Sequence, residues 1–233
     1  AYVIVSEAGA SVYSASELAT KEYPDLDVTV RGAISIGRRL QDPLAELVKI
    51  DPKAIGVGQY QHDVTPKKLE ESLAGVVEDS VNTVGVDLNI ATPSLLTHIS
   101  GINAAIAKNI VDYREEAGHF TSRKELLKVK RLGQKAYEQC AGFLRVAESK
   151  EPLDNTSVHP ESYDAAKKLI GVLGYDNEAL KNNKLGDIDE KAECYGISKL
   201  SKELEIGEMT LKDIIKELKK PGRDPREEMP ANT

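Results

Sequence analysis

Leu95-Leu96-Thr97-His98-Ile99-Ser100-Gly101-Ile102-Asn103 and Glu125-Leu126-Leu127-Lys128-Val129-Lys130-Arg131-Leu132-Gly133 are one pattern written twice, thirty residues apart. Leu96 falls on Leu126, Ile99 on Val129, Ile102 on Leu132, Ile106 on Ala136 and Ile110 on Cys140. Apolar positions repeat while the residues between them change, which marks a duplicated structural unit. Two short helices joined by a tight turn fit the spacing, so the stretch reads as a tandem helix-hairpin-helix. Such a hairpin brings backbone N–H groups and a helix N-terminus to one point, an arrangement suited to a phosphate oxygen.

The turns must be small, because amides have to approach the phosphate and one residue adopts positive φ. Each copy keeps one glycine, in Gly101-Ile102-Asn103 and Arg131-Leu132-Gly133. Asn103 tolerates the left-handed region and is expected to stand in for the missing glycine of the first copy. Arg131 either adds a phosphate contact or marks a hairpin kept for packing. Residues 123–135 hold six cations against one acid, Glu125. The cluster surrounds the second hairpin, inside a chain whose net charge is −7 and whose pI is about 5.3. A bulk coat for nucleic acid is excluded; a local grip is not.

Outward from the repeat, local signals place further helices. Thr92-Pro93 starts the first helix of the tandem unit, and Ser122-Arg123-Lys124-Glu125 has capping-box order for the second. Thr65-Pro66 opens a long helix to about Val84. Before it, Tyr2–Ser6 and Ile55–Gly58 read as strands, Ser14 or Ser16 caps a short helix ending at Tyr23-Pro24, and helices span Val28–Leu40 and Pro43–Ile50. After it, 148–155 reads as a linker and helices follow at 159–173, 188–195, 197–204 and 210–219. Gly174 closes the first of these, Thr210 caps the last, and Pro221-Gly222 stops it. Pro225, Pro230 and Glu227-Glu228 read as an extended exit.

The 233 residues, 40% hydrophobic and 30% charged with no Trp, describe a helix-rich chain of two or three units. No apolar run reaches membrane-spanning length and the first residues lack a signal-peptide pattern, so the expectation is a cytoplasmic protein without a membrane partner. Cys140 and Cys194 are unclustered, and neither a metal nor another cofactor is indicated. Glu7 and Asp42 are the carboxylates that a two-metal nuclease would use, though each reads as a surface or capping residue. His62-Asp63 lacks a nucleophile at recognisable spacing, and His98, His119 and His159 read as structural. No catalytic residue is assigned and the chain is read as a non-enzyme.

Further runs carry a resemblance. Val5–Ser16 (VSEAGASVYSAS), Arg39–Ile50 (RLQDPLAELVKI), Gly56–Val64 (GVGQYQHDV), Val158–Tyr163 (VHPESY) and Lys220–Arg226 (KPGRDPR), with the paired hairpins, resemble the Tex family of bacterial transcription accessory proteins. The resemblance implies a mainly α chain in which residues 1–63 form the C-terminal part of a YqgF, RNase H-like α/β domain. It implies a helix-hairpin-helix domain with its leading helix at 64–147, a helical domain at 153–228 and a tail at 229–233. Family members are similar to the core of a eukaryotic transcription elongation factor, and their RNase H-like domain is not an established nuclease. They also carry an OB-fold RNA-binding domain after the Pro-Gly-Arg-Asp-Pro run, before which this sequence ends. The expected partner is therefore RNA or DNA, bound weakly. The contact residues are Gly101, Ile102, Asn103, Ala104 and Lys108 at the first hairpin, with Lys128, Lys130, Arg131, Leu132, Gly133, Gln134 and Lys135 at the second. A docking scaffold for the transcription machinery is the alternative.

Overall fold

A computed structural model describes residues 3–182 and 184–219. The Lys220–Arg226 run, the stop at Pro221-Gly222, the extended exit and the 229–233 tail lie outside the described residues. The described chain falls into two compact units. One comprises the chain to Val84 together with Ala91–Ile99; the other comprises Gly85–Ile90 and the residues from Ser100 onward.

The first unit is a set of short helices, each begun by a local signal. Helices α1 (Ala10–Ser14), α2 (Glu17–Glu22), α3 (Val28–Arg39) and α4 (Pro43–Leu47) are followed by a 3-10 turn at Pro52–Ile55. The long α5 (Pro66–Val84) and the short α6 (Pro93–Leu96) complete it. Ser16, Asp27, Asp42 and Thr92 accept from the amides of Ala19, Val30, Ala45 and Leu95 at 2.9–3.3 Å, each satisfying an orphan donor of a first turn. The apolar core of residues 10–50 is small, Tyr13, Ala19 and Ile50 with Leu18 against them. A polar knot supplements it. The buried Lys49 ammonium reaches Glu22 and Glu46 at 3.0 Å each, Ser35 donates to Glu46 at 2.8 Å, and the Tyr13 hydroxyl donates to Glu22.

Two expectations fail here. Residues 3–7 form no strand, and Val3 and Ile4 are exposed; Ile55–Gly58 is a 3-10 turn and its exit. β-branched residues make a strand only where a neighbouring strand takes up the backbone N–H and C=O groups. Among the described residues none runs beside either segment.

In the second unit, β1 (Val86–Asp87) pairs in parallel with β2 (Leu144–Arg145), Val86 opposite Leu144. Between them lie α7 (Ala104–Ala117), a 3-10 helix at Arg123–Lys128, and α8 (Gln134–Cys140). After β2 come α9 (Tyr163–Val172), α10 (Asn177–Lys181), α11 (Ile188–Tyr195), α12 (Ile197–Glu203) and α13 (Glu208–Lys219). The capping box at Ser122 does not form. Ser122 makes no side-chain cap, the Thr121 hydroxyl holds Glu125 instead, and the segment winds as 3-10. Likewise α13 begins at Glu208, so Thr210 lies inside it.

The 159–219 stretch hides a second duplication, on a 31-residue step. Ala166, Leu169, Leu173, Tyr175 and Leu180 correspond to Ile197, Leu200, Leu204, Ile206 and Leu211, and all ten belong to or pack on one apolar core. Gly174-Tyr175-Asp176 enters α10 and Glu205-Ile206-Gly207 enters α13, with Gly174 and Glu205 left-handed at φ +76° and +55°. These turns repeat the form seen at 101–103 and 131–133.

Candidate nucleic-acid interface

The paired apolar positions of the tandem unit are buried as the repeat requires: Leu96 with Leu126, Ile99 with Val129, Ile102 with Leu132, and Ile110 with Cys140. Ala136, the partner of Ile106, is half-buried. Burial anchors Ile102 and Leu132 by their side chains, so either could meet a ligand only through its main chain.

The turn geometry corrects the expected roles. The left-handed residue is the first of each triplet, Gly101 at φ +83° and Arg131 at φ +66°. The third is extended: Asn103 at φ −94° and Gly133 at φ −84° are the N-caps of α7 and α8. Asn103 therefore serves through its side chain, whose Oδ1 accepts from the Ile106 amide at 2.9 Å. Gly133 has no side chain to cap with, so the N–H groups of Gln134, Lys135 and Ala136 are left open. Leu132 donates to the Val129 carbonyl at 3.2 Å, which takes its amide out of the set offered to a ligand.

Glycine at 101 is required twice over. Its φ is positive, and a Cβ there would lie 2.7 Å from Cβ of Gln139 and 3.3 Å from the Ala136 carbonyl oxygen. The first turn thus rests on α8, while the second stands in solvent: Arg131, Gly133, Gln134 and Lys135 are all exposed.

Charge is distributed as unevenly. Lys124, Lys128, Lys130, Arg131 and Lys135 are exposed and make no ion pair among the described residues. Lys108 is paired with Asp112 at 2.6 Å, which raises its pKa and spends its charge locally. Gln134 donates to Glu138 at 3.0 Å.

Arg123, counted by sequence within the basic cluster, is not on the surface. It is fully buried, its Nε donating to the Leu144 carbonyl at 2.7 Å and its Nη1 to the Val158 carbonyl at 2.7 Å and the Tyr163 hydroxyl at 2.8 Å. Nη2 donates to the Thr156 carbonyl. Asp154 completes the knot, accepting from the Arg123 amide at 3.1 Å and from Tyr163 at 2.6 Å. Burial, opposed by the Arg123 charge and reinforced by Asp154, raises the Tyr163 pKa and keeps the hydroxyl protonated. The run 144–163 is thus folded around one guanidinium, whose planar fork of donors suits several carbonyls at once.

The remaining candidates divide between residues tied into the fold and residues left at the surface. Asp42 is buried and caps α4, Glu7 is exposed, and His62 and Asp63 are exposed. His159 bonds the Glu138 carbonyl at 2.8 Å. His98 is half-buried and its pKa is lowered by that burial. Among the described residues no helix is long and apolar enough to cross a membrane.

Comparison with known proteins agrees with this layout. The helix-hairpin-helix motif matches residues 81–145, an HHH domain matches 151–226 and the Tex protein YqgF-like domain matches 1–41. The chain is 58% identical to the transcriptional accessory protein Tex of Neisseria gonorrhoeae over 96% of its length, and 56% identical to the protein YhgF of Escherichia coli over 97%. It is 41% identical to the human S1 RNA-binding domain-containing protein 1 over 94%. It spans 29%, 28% and 27% of those relatives, under a third of each. Mainly α, with helix-hairpin-helix units behind a YqgF-like segment, the chain belongs to the Tex family of transcription accessory proteins.

Proposed function

We propose that this chain is a nucleic-acid-binding part of a transcription accessory protein, gripping the phosphate backbone of RNA or DNA without regard to sequence. One observation carries the reading: the open amides of Gln134, Lys135 and Ala136 begin a helix whose turn and flanks hold five exposed, unpaired cations. Amides supply directed donors and the cations supply long-range attraction. Lys128, Lys130, Arg131 and Lys135 are the contacts at the second hairpin, with main-chain contacts at Gly101, Ile102, Asn103 and Ala104, and Lys108, added from the first. The family name and the S1 RNA-binding relative support the same ligand class. The role is binding, not cleavage.

The test is a salt titration of affinity for fluorescent 20-mers of single-stranded RNA, single-stranded DNA and duplex DNA. Three to five neutralised phosphates give a slope of log K against log salt of about −2 to −4. The double variant Lys130→Glu with Arg131→Glu lowers affinity and leaves helix content unchanged. Salt-independent binding, or an unaltered variant, would overturn the reading.

The second pair of hairpins favours a different role. Asp176 and Glu205 stand at its turns, where Asn103 and Arg131 stand in the first pair. Carboxylates there repel phosphate, so this half is assigned to protein docking, with the transcription machinery as partner. Glu205→Gln should leave oligonucleotide affinity unchanged; a gain would put these turns on the nucleic-acid path.

A further inference from the structure

The second hairpin is held by a residue of the first motif. Asn109, half-buried on α7, donates through Nδ2 to the Lys130 carbonyl at 2.8 Å. A carbonyl acceptor defines which end of the side-chain amide faces it, since only the NH2 end can donate. The consequence follows from peptide planarity. In a trans peptide the C=O of Lys130 and the N–H of Arg131 point in opposite directions. Pinning the carbonyl to α7 therefore turns the Arg131 N–H away from α7, and that amide has no acceptor among the described residues.

The same bond determines where the turn can go next. Arg131 sits at φ +66°, a conformation that a side-chain-bearing residue keeps only when its surroundings impose it. From one side the Val129 carbonyl holds Leu132 at 3.2 Å, and the buried Leu132 side chain anchors the turn below. From the other, Asn109 holds Lys130. Between these ties lies the open amide of Arg131, and beyond Leu132 come those of Gly133, Gln134 and Lys135. The first turn has no exposed counterpart of this assembly: Asn103 caps its helix and Gly101 packs on α8.

We propose that Asn109 is a positioning residue for phosphate binding, so that the first motif braces the second and the second makes the grip. It touches no phosphate itself; it orients the Lys130–Arg131 peptide whose far side does. This rests on the binding role proposed above and names how its site is pre-organised.

The experiment compares the full chain with Asn109→Leu, which keeps size and charge but removes the donor, and with Asn109→Gln, which keeps the donor on a longer arm. The probe is a fluorescent single-stranded 20-mer, titrated with salt, beside a thermal melt. Asn109→Leu should lose about five- to tenfold in affinity, the worth of one lost orienting hydrogen bond, with an unchanged salt slope, since the amide it orients is neutral, and an unchanged melting temperature. Asn109→Gln should recover most of the affinity. In the wild type, inorganic phosphate should shift the amide resonances of Arg131 and Gly133, and in Asn109→Leu it should not. Equal affinity for wild type and Asn109→Leu would overturn the positioning role while leaving the binding role standing. A loss that follows the melting temperature, or that Asn109→Gln does not recover, would make Asn109 a stability residue and also overturn it. A wild type that binds no oligonucleotide would remove the binding role and this inference together.

Discussion

Arg131 occupies in the second hairpin the place that Gly101 occupies in the first, and both backbones are left-handed, at φ +66° and +83°. Gly101 meets its conformation at no steric cost; Arg131 stores strain of about 1–2 kcal/mol, the usual penalty for a side chain in that region. The phosphate contact proposed above would give this strained position and its unpaired guanidinium a use.

Arg131→Gly should therefore separate stability from binding. The substitution relieves the left-handed strain and should stabilise the fold by up to about 1 kcal/mol, part of the gain being lost to the freer unfolded glycine. Oligonucleotide affinity should fall at the same time. Urea denaturation beside a binding titration checks both, and a variant that is less stable would show that Arg131 is held by more than the turn.

Gly101→Ala should destabilise. The left-handed φ alone costs about 1 kcal/mol or more, and the added Cβ meets Gln139 Cβ at 2.7 Å on the face of α8. A drop in the urea midpoint of the second unit is expected, and Gln139→Gly in the same chain, which removes the opposing Cβ, should recover the steric part when measured against Gln139→Gly alone. No recovery would place the whole cost in the backbone.

Arg123→Leu should cost roughly 3–5 kcal/mol, because it removes the guanidinium donors from the buried carbonyls of Leu144, Thr156 and Val158 and from the Tyr163 hydroxyl that in turn donates to Asp154. Arg123→Lys should cost nearly as much, since a single ammonium cannot span the same acceptors. Equilibrium denaturation measures both; a surface cation at this position would give a change under about 0.5 kcal/mol.

Cys140 should be silent to thiol reagents in the folded chain. It is fully buried at the C-terminal end of α8, and burial pushes its pKa up to about 12, so almost no thiolate exists at neutral pH. Cys194 is exposed. One fast-reacting thiol is expected in buffer at pH 8 and two in urea; two fast thiols in buffer would mean that α8 opens readily.

The legible parts of the fold were those written in short range. The 30-residue step, the prolines at the starts of α4, α5 and α6, and the caps at Ser16 and Thr92 all act within a turn of the residues that show them. The 31-residue step at 166–211 was equally present in the sequence, as Leu169 on Leu200 and Leu173 on Leu204, but its turns carry Glu205 and Asp176 and do not resemble a phosphate site. Residues 3–6 and 55–58 carry strand-like sequence yet form no strand, because a strand depends on a neighbour that its own residues do not name.

By itself the sequence determined the duplicated hairpins, their apolar anchors and the basic stretch around the second, because periodicity and local charge are properties of neighbouring residues. Tertiary structure alone decided which cations reach solvent and which turn stays open. Arg123 disappears into a knot of carbonyls, Asn103 caps a helix and Asn109 reaches across to Lys130 because each answers to hydrogen-bonding groups distant in the chain, and burial sets which of those groups need a partner.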